Sequence, residues 1–396
     1  MLRSSSICAT FLYNYLIVDK ETKDKNGVNL DKNIKKLQCM ADTLASYGGV
    51  LSKLSQILSL NDTDNKVFSD CKPFSKRGTI EYFDNFIQTQ TLNLQEVDLN
   101  VYKSGSVGQV HRAKYKNRDI IFKVQYVGLA EQTITDLDMF DKITSYIYYF
   151  ADMKQAMIDI RKTMFLELNY KFESFNQKRM YDIYKDIDFI EIPEIIDEFC
   201  TDTILGMYFV EGKSLPTFIN NSTQEDRNKF GTSLVKFVFE NIYKHGILYS
   251  DLHYGNFLVK DDCSLCVLDF GCLHDIDTTL LSNLRKLHMS IRLGDTDEFY
   301  TIVEDMGIIK KDISMESRKY IYDYFCIQYE PWTSEQFEFT QSWLDNSCQK
   351  NPDLMKEWVL PPDMIYFNKI PYGCYHIFTK LNLKGCFREI FDNMLS

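Results

Sequence analysis

Asp251 and Asp269, eighteen residues apart in a chain of 396, have the most chemistry around them. Asp251 lies in Tyr249-Ser-Asp-Leu-His-Tyr-Gly-Asn256, and Asp269 in Val267-Leu-Asp-Phe-Gly271. A carboxylate can orient or deprotonate a hydroxyl or a water. Asp and Asn oxygens also suit Mg2+, a hard six-coordinate ion that needs one or two protein carboxylates when phosphate and water complete its shell. A cation stands upstream: Lys123 sits in Ile120-Ile-Phe-Lys-Val124, an otherwise apolar strand. An ammonium buried there requires an anion. Between two expected strands runs Ser104-Gly-Ser-Val-Gly-Gln-Val110, whose small residues let backbone N–H groups approach phosphate oxygens.

Taken in order, these groups match the pattern of a protein-kinase-like phosphoryl-transfer site. Asp-Phe-Gly alone would be weak, but here it follows an expected strand and trails an Asp-x4-Asn. In this pattern Asp251 addresses the acceptor, and Asn256 and Asp269 hold Mg2+ on the phosphates of ATP. Lys123 pairs with the α- and β-phosphates and with a helical glutamate. Gly105, Ser106, Val107, Gly108 and Val110 line the nucleotide with Lys123, and Glu211 adjoins it in the expected hinge Glu211-Gly-Lys213. Glu167 and Glu173 are the candidate partners of Lys123. Six residues apart on one helix, they point about 120° from each other. One can serve Lys123 while the other addresses a different group, for which Lys53 is available. The pattern's catalytic set is thus Lys123, Asp251 and one of these two glutamates. His253, inside the first loop, is expected to be structural rather than a proton carrier. Cys263-x-x-Cys266 has no second pair and reads as a turn entering the strand before Asp269.

The elements that position these groups read as strands, a hinge, then helices. Asp31 to Leu60 is expected to be helical, with Val50, Leu51, Leu54, Ile57 and Leu58 on one stripe and Lys53 and Gln56 along its edge. A polar connector over 61–78 is followed by a helix near Ile80–Thr91. Three short strands follow near Asp98–Tyr102, Val110–Tyr115 and Asp119–Gln125. Residues 130–184 are expected to be helical with a break near Ala151-Asp152. Ile190–Cys200 and Thr203–Val210 read as strands. Gln224–His245 reads as a helix capped from Asn221-Ser-Thr223 and closed by Gly246. Strands flank both aspartates, and helices run on from Asp277 with loops near Pro331, Pro352, Pro361-Pro362 and Pro371. The expected class is α+β. A helical extension over 1–95 precedes a strand-rich lobe with a helical insertion over 96–212. A helical lobe over 213–396 carries the catalytic and metal loops.

Bulk properties set limits. A net charge of -11 argues against a broad nucleic-acid surface. Eleven cysteines without framework spacing read as mostly buried free thiols in a reducing compartment. No stretch reaches about 18 consecutive apolar residues. The start, Met1-Leu-Arg-Ser-Ser-Ser6 before an apolar run from Phe11 to Val18, resembles a poor organellar presequence. An N-terminal helix packing on the domain is the plainer reading.

From about residue 34 to 275 the chain resembles the UbiB-type (ADCK-like) atypical kinases associated with ubiquinone biosynthesis. The resemblance rests on Lys53-Leu-Ser-Gln56, Gly108–Ala113, Lys123-Val-Gln125, Glu167-Leu-Asn169, Glu173 and Asp251-Leu-His-Tyr-Gly-Asn256. It implies a kinase-like fold whose N-terminal helix, with Lys53, Gln56 and Glu167, covers the nucleotide site. It also implies ATP and Mg2+ as ligands, and ATPase activity or small-molecule phosphorylation more readily than protein phosphorylation. The sequence departs from the family at Ser55 (usually Gly), Gly105 (usually Ala), Asn169 (usually Asp), and at Leu252 and Tyr254 (both usually Pro). Losing the prolines is expected to loosen the catalytic loop.

The leading expectation is an ATP- and Mg2+-dependent atypical kinase or ATPase acting on water or on a small or lipid-related acceptor, with a link to quinone metabolism. Its partners would be a nucleotide and a lipid or membrane surface, with no nucleic acid. A Ser/Thr protein kinase and a nucleotide-binding pseudokinase scaffold remain open, with aminoglycoside-phosphotransferase-like chemistry as a smaller remainder. Residues 280–396 carry no motif that attaches to chemistry.

Overall fold

The computed structural model describes residues 76–145 except 92 and 106, residues 161 and 165–166, and residues 168–395 except 311, 350, 352–353, 355–356, 360, 362–363, 365–366 and 368. The expected helix over 31–60, with Lys53, Ser55 and Gln56, lies outside them, as do Ser106, Glu167 and the expected break at Ala151-Asp152. The described chain begins α1 (Lys76–Thr89), β1 (Leu94–Ser104), β2 (Gly108–Tyr115), β3 (Arg118–Gln125), α2 (Leu129–Ser145), α3 (Tyr170–Tyr184), β4 (Ile190–Glu191), β5 (Ile204–Tyr208). It continues β6 (Lys213–Ser214), α4 (Leu215–Asn221), α5 (Gln224–Tyr243), β7 (Ile247–Tyr249), β8 (Phe257–Val259), β9 (Leu265–Val267), β10 (Leu273–Asp275). Last come α6 (Thr278–Leu293), α7 (Thr296–Asp305), α8 (Met315–Thr333), β11 (Phe337–Glu338), α9 (Gln341–Ser347), α10 (Lys369–Lys380), β12 (Lys384–Gly385) and α11 (Phe387–Leu395). Two compact units result. Unit 1 holds the described chain up to Phe175 together with Glu194–Phe209, and unit 2 holds Asn176–Pro193 and the chain from Val210 onward.

Unit 1 is built on an antiparallel sheet in the order β1-β2-β3-β5. The β2–β3 hairpin turns at Lys116 and Asn117, both at positive φ (51° and 61°). Two consecutive left-handed residues give the turn that matches strand twist. Alternation along β3 then sorts its side chains. Ile120, Phe122 and Val124 are fully buried with Phe83 of α1 and Phe199. Ile121 faces the other way, beside Tyr170, Leu205 and Met207, and Lys123 shares that face by the period of two.

Unit 2 carries a sheet ordered β4-β9-β8-β6, with β4 parallel to β9, and a separate β10-β7 pair. Its core gathers Phe230, Leu234, Phe237, Tyr249, Phe257 and Phe270 among many others. α5 starts at a capping box, in which Thr223 and Asp226 satisfy each other's backbone N–H. Gly246, at φ +62°, follows its end. Asp277 caps α6, and Gly294 closes it in the left-handed conformation.

Three expectations about elements are corrected. Ile190–Cys200 is not one strand: pairing stops at Glu191, Ile195 makes a single bridge to Met207, and Asp197–Phe199 forms a 3-10 turn. Pro193, lacking an N–H, cannot continue the ladder. Pro331 and Pro371 lie within helices rather than loops. Pro371 falls in the first turn of α10, where an N–H would have no helical partner anyway. The helix expected to run on to 184 is interrupted at Leu168-Asn169, where the chain turns before α3 begins at Tyr170. Asn169 is the cap of α3: its Oδ1 accepts from Phe172 N at 3.0 Å, and its carbonyl accepts from Glu173 N. Asn and Asp cap about equally well, so this departure from the family keeps the helix start.

Candidate active site

In unit 1 the site is organised around Lys123. It lies opposite Val110 on β2 and Leu205 on β5. Its Nζ is 2.5 Å from Oε1 of Glu173, on the first turns of α3. The side chains are 18% and 4% exposed, so this is an ion pair largely removed from water, with each charge supplying what the other's burial requires. The Tyr170 ring lies 5.6 Å from Nζ and adds a π face to the cation's surroundings. Gln125, two residues on, is buried and donates to the carbonyl of Leu168 at 3.0 Å. That bond ties the end of β3 to the chain entering α3.

The Gly-rich loop closes tightly on itself. Gly105 N donates to Gly108 O at 2.8 Å, Tyr126 N donates to Val107 O, and the Tyr126 hydroxyl donates to Gly105 O. Gly108 is held by its surroundings: a Cβ there would stand 2.5 Å from Val124 O and 3.0 Å from the Tyr170 hydroxyl. A Cβ at Gly105 would meet nothing nearer than 3.7 Å. The alanine usual in the family would therefore fit at 105.

In unit 2 the site is a pair of loops. Asn256 Nδ2 donates to the Asp251 carbonyl at 3.0 Å and to its Oδ2 at 2.9 Å. With Nδ2 turned to Asp251, Oδ1 is the Asn256 atom suited to a cation. His253 caps the 3-10 turn Tyr254–Asn256, its Nδ1 accepting from Gly255 N at 3.1 Å. This bond shapes the loop. Asp269 Oδ1 accepts from Gly271 N at 3.1 Å.

Two residues that the sequence did not single out fix the Asp269-Phe-Gly loop through its backbone. The Tyr249 hydroxyl donates to Asp269 O at 2.9 Å, and Asn176 Nδ2 donates to Phe270 O at 3.0 Å. Burial first, then the carboxylates of Asp251 and Asp269, push the Tyr249 phenol well above its ordinary pKa, so it remains a donor. Asn176 carried a signal, an amide three residues after Glu173 on the helix. Nothing adjacent to Tyr249 in the sequence marks its hydroxyl. Glu211 is exposed and precedes β6. Cys263 occupies a turn at φ 64°, and Cys266 is buried in β9. All eight described cysteines are free.

One carboxylate and one carboxamide oxygen, with phosphate and water completing the shell, is a donor set that fits Mg2+. Lys123, held by Glu173, fits phosphate oxygens. The strand-built unit with its lysine–glutamate pair and the helical unit with its Asp-x4-Asn and Asp-Phe-Gly loops define a protein-kinase-like α+β fold. A family model described as ABC1 atypical kinase-like domain matches residues 66–303, and the chain belongs to that family.

Among curated proteins it is 27% identical over 345 residues to a probable serine/threonine-protein kinase, abkB, of Dictyostelium discoideum, covering 77% of this chain and 50% of that one. It is 23% identical over 303 residues to the atypical kinase COQ8, mitochondrial, of Saccharomyces cerevisiae, covering 73% and 60%. The chain thus spans about half to three-fifths of the length of these relatives. Among solved structures, the Rv3197–erythromycin complex from Mycobacterium tuberculosis matches with a TM-score of 0.68 at 20% identity, covering 89% of this chain and 94% of that one. At that identity the likeness establishes the fold. No helix among the described residues is long and apolar enough to cross a membrane.

Proposed function

We propose that the protein is an ATP- and Mg2+-dependent atypical kinase or ATPase that transfers a phosphoryl group to water or to a small, lipid-related acceptor, with a link to quinone metabolism. The observation that carries the reading is the Lys123–Glu173 ion pair, a half-buried cation held in place by a buried carboxylate. Lys123 holds the α- and β-phosphates. Asp269 and Asn256 Oδ1 would hold Mg2+, which when bound would supply charge neutralisation at the phosphoryl group. Asp251, oriented by Asn256 Nδ2, positions the acceptor hydroxyl or water and takes its proton. Gly105, Ser106, Val107, Gly108, Val110 and Glu211 surround the nucleotide. Lys53, Gln56 and Glu167 belong to the lid that the family resemblance implies. The quinone link rests on that resemblance and is compatible with relatives named as mitochondrial atypical kinases.

The test is Mg-ATP turnover by purified protein, with and without liposomes and a phenolic quinone-precursor mimic, beside Asp269→Asn. Turnover lost in the variant supports the reading. Equal turnover in both proteins, or nucleotide binding without turnover under every condition, would sink it and leave the scaffold. The Dictyostelium relative, named as a probable serine/threonine-protein kinase, favours a protein-kinase reading. It predicts efficient peptide phosphorylation that survives Lys53→Ala.

A further inference from the structure

The catalytic loop is internally well tied. His253 N donates to Asp251 O, Asn256 N to His253 O, Gly255 N to His253 Nδ1, and Asn256 Nδ2 to Asp251. Those bonds fix the loop's shape but not its place in unit 2. Ser250 N on Cys272 O, at 3.1 Å, anchors its start. The residue directly after Asp251 is held differently. Leu252 packs against the hydrophobic core, and α10 reaches it at Gly373. A Cβ built on Gly373 would stand 2.8 Å from Leu252 Cβ, 3.4 Å from Leu252 O and 3.5 Å from Cδ1. The helix therefore touches both the side chain and the main chain of the residue next to Asp251, and only a glycine allows that approach. Neither Leu252 nor Tyr254 has the ring-locked φ of a proline, so at Leu252 packing adds to the hydrogen bonds that shape the loop.

We propose that α10 seats the catalytic loop, with Gly373 against Leu252 setting where Asp251 stands. Gly373 and Leu252 are positioning residues: they touch the loop, not the reactants. α10 lies beyond the family match, which ends at residue 303. This assigns the C-terminal region a part in the reaction. Any side chain at 373 pushes the loop or the helix by something on the order of 1 Å, and misplacement of that size can cost about a hundredfold in rate. The turnover part rests on the proposed phosphotransfer, whereas the seating itself does not.

The experiment compares wild type, Gly373→Ala and Leu252→Ala, which attack the contact from opposite sides. Leu252→Ala opens space, so it tests the contact even if Gly373→Ala does not fold. Hydrogen exchange is followed in the peptide from Leu248 to Phe257 and in α5. Mg-ATP turnover and fluorescent-nucleotide affinity are measured alongside. In both variants the loop peptide should exchange about tenfold faster while α5 is unchanged. Turnover should fall about tenfold or more with nucleotide affinity within about twofold. Unchanged loop exchange overturns the proposal, as does exchange rising equally in α5. Full turnover with a loosened loop overturns the assignment of position to Asp251. If wild type itself turns over no ATP, the function reading fails and the exchange measurement alone decides the seating.

Discussion

Asn176 holds Phe270 by its backbone: the buried side-chain amide on α3 donates to the Phe270 carbonyl at 3.0 Å. Phe270 follows Asp269, so this bond fixes the peptide beside the proposed metal ligand. The Tyr249 hydroxyl does the same at the Asp269 carbonyl. The Asp269-Phe-Gly loop is thus gripped at two successive carbonyls by two buried donors, which leaves the Asp269 carboxylate little freedom of direction.

Asn176→Ala leaves the Phe270 carbonyl buried without that donor, at a cost of about 1–3 kcal/mol. The Mg2+ concentration for half-maximal turnover should rise several-fold. Asn176→Asp should be worse, since an ionised carboxylate cannot donate and would face a carbonyl. A Mg2+ titration of nucleotide binding checks both variants. An unchanged Mg2+ midpoint beside a lower melting temperature would mean that the bond serves folding alone.

The Lys123–Glu173 pair predicts a non-additive cycle. Lys123→Met strands a carboxylate that is only 4% exposed, so stability should fall by about 3 kcal/mol. Glu173→Leu strands the ammonium with a similar sign. The double variant removes both charges and should regain most of the lost stability while staying inactive. Thermal melts of the four proteins give the coupling energy. A double variant as unstable as the sum of the singles would contradict the pairing.

The two glycines of the loop between β1 and β2 should respond oppositely to alanine. At Gly105 the new Cβ meets only Gly108 O, at 3.7 Å. Gly105→Ala should leave stability within about 0.5 kcal/mol. At Gly108 a Cβ would press on Val124 O, at 2.5 Å on the neighbouring strand. Gly108→Ala should destabilise by about 1–3 kcal/mol, as overpacking does. Urea melts of the two variants make the comparison directly. Equal melts would mean that β2 and β3 can spread without cost.

Much of this was legible in the sequence because it depends on local pattern. Alternation around Lys123, the Thr223 cap and Gly246 stop of α5, and the order of Asp251, Asn256 and Asp269 each follow from a few adjacent residues. What escaped depends on the third dimension. The sequence has Leu252 where a proline would stiffen the loop, and nothing adjacent reveals that Gly373, over a hundred residues later, supplies the contact. A helix seemed to run through Leu168-Asn169 because neither residue rules one out; the Asn169 cap on Phe172 N starts α3 there instead. Pro331 read as a loop because the proline rule is local, whereas α8 carries it buried, near its end.

His288 predicts an acid-sensitive step in stability. On α6 it is fully buried, stacked on the Phe391 ring at 5.1 Å, with the tilted Tyr329 ring 5.7 Å away. Among the described residues neither ring nitrogen has a hydrogen-bond partner. Burial, aided by the Arg292 charge, lowers its pKa from 6.5 to about 4. The folded protein therefore keeps His288 neutral where the unfolded chain already binds a proton. Its contribution to stability is complete above about pH 6.5 and is lost as pH falls toward about 4, by at most about 3 kcal/mol. Below that pH both states are protonated and the loss levels off. His288→Leu removes the proton site and the two unsatisfied nitrogens. Its stability at pH 7.5 should match wild type or exceed it by about 1 kcal/mol. The gap between variant and wild type should widen steadily in urea melts from pH 6.5 to 4.5, while effects of other groups cancel in the difference. A gap that stays constant across that range would show that His288 is not held neutral by the core.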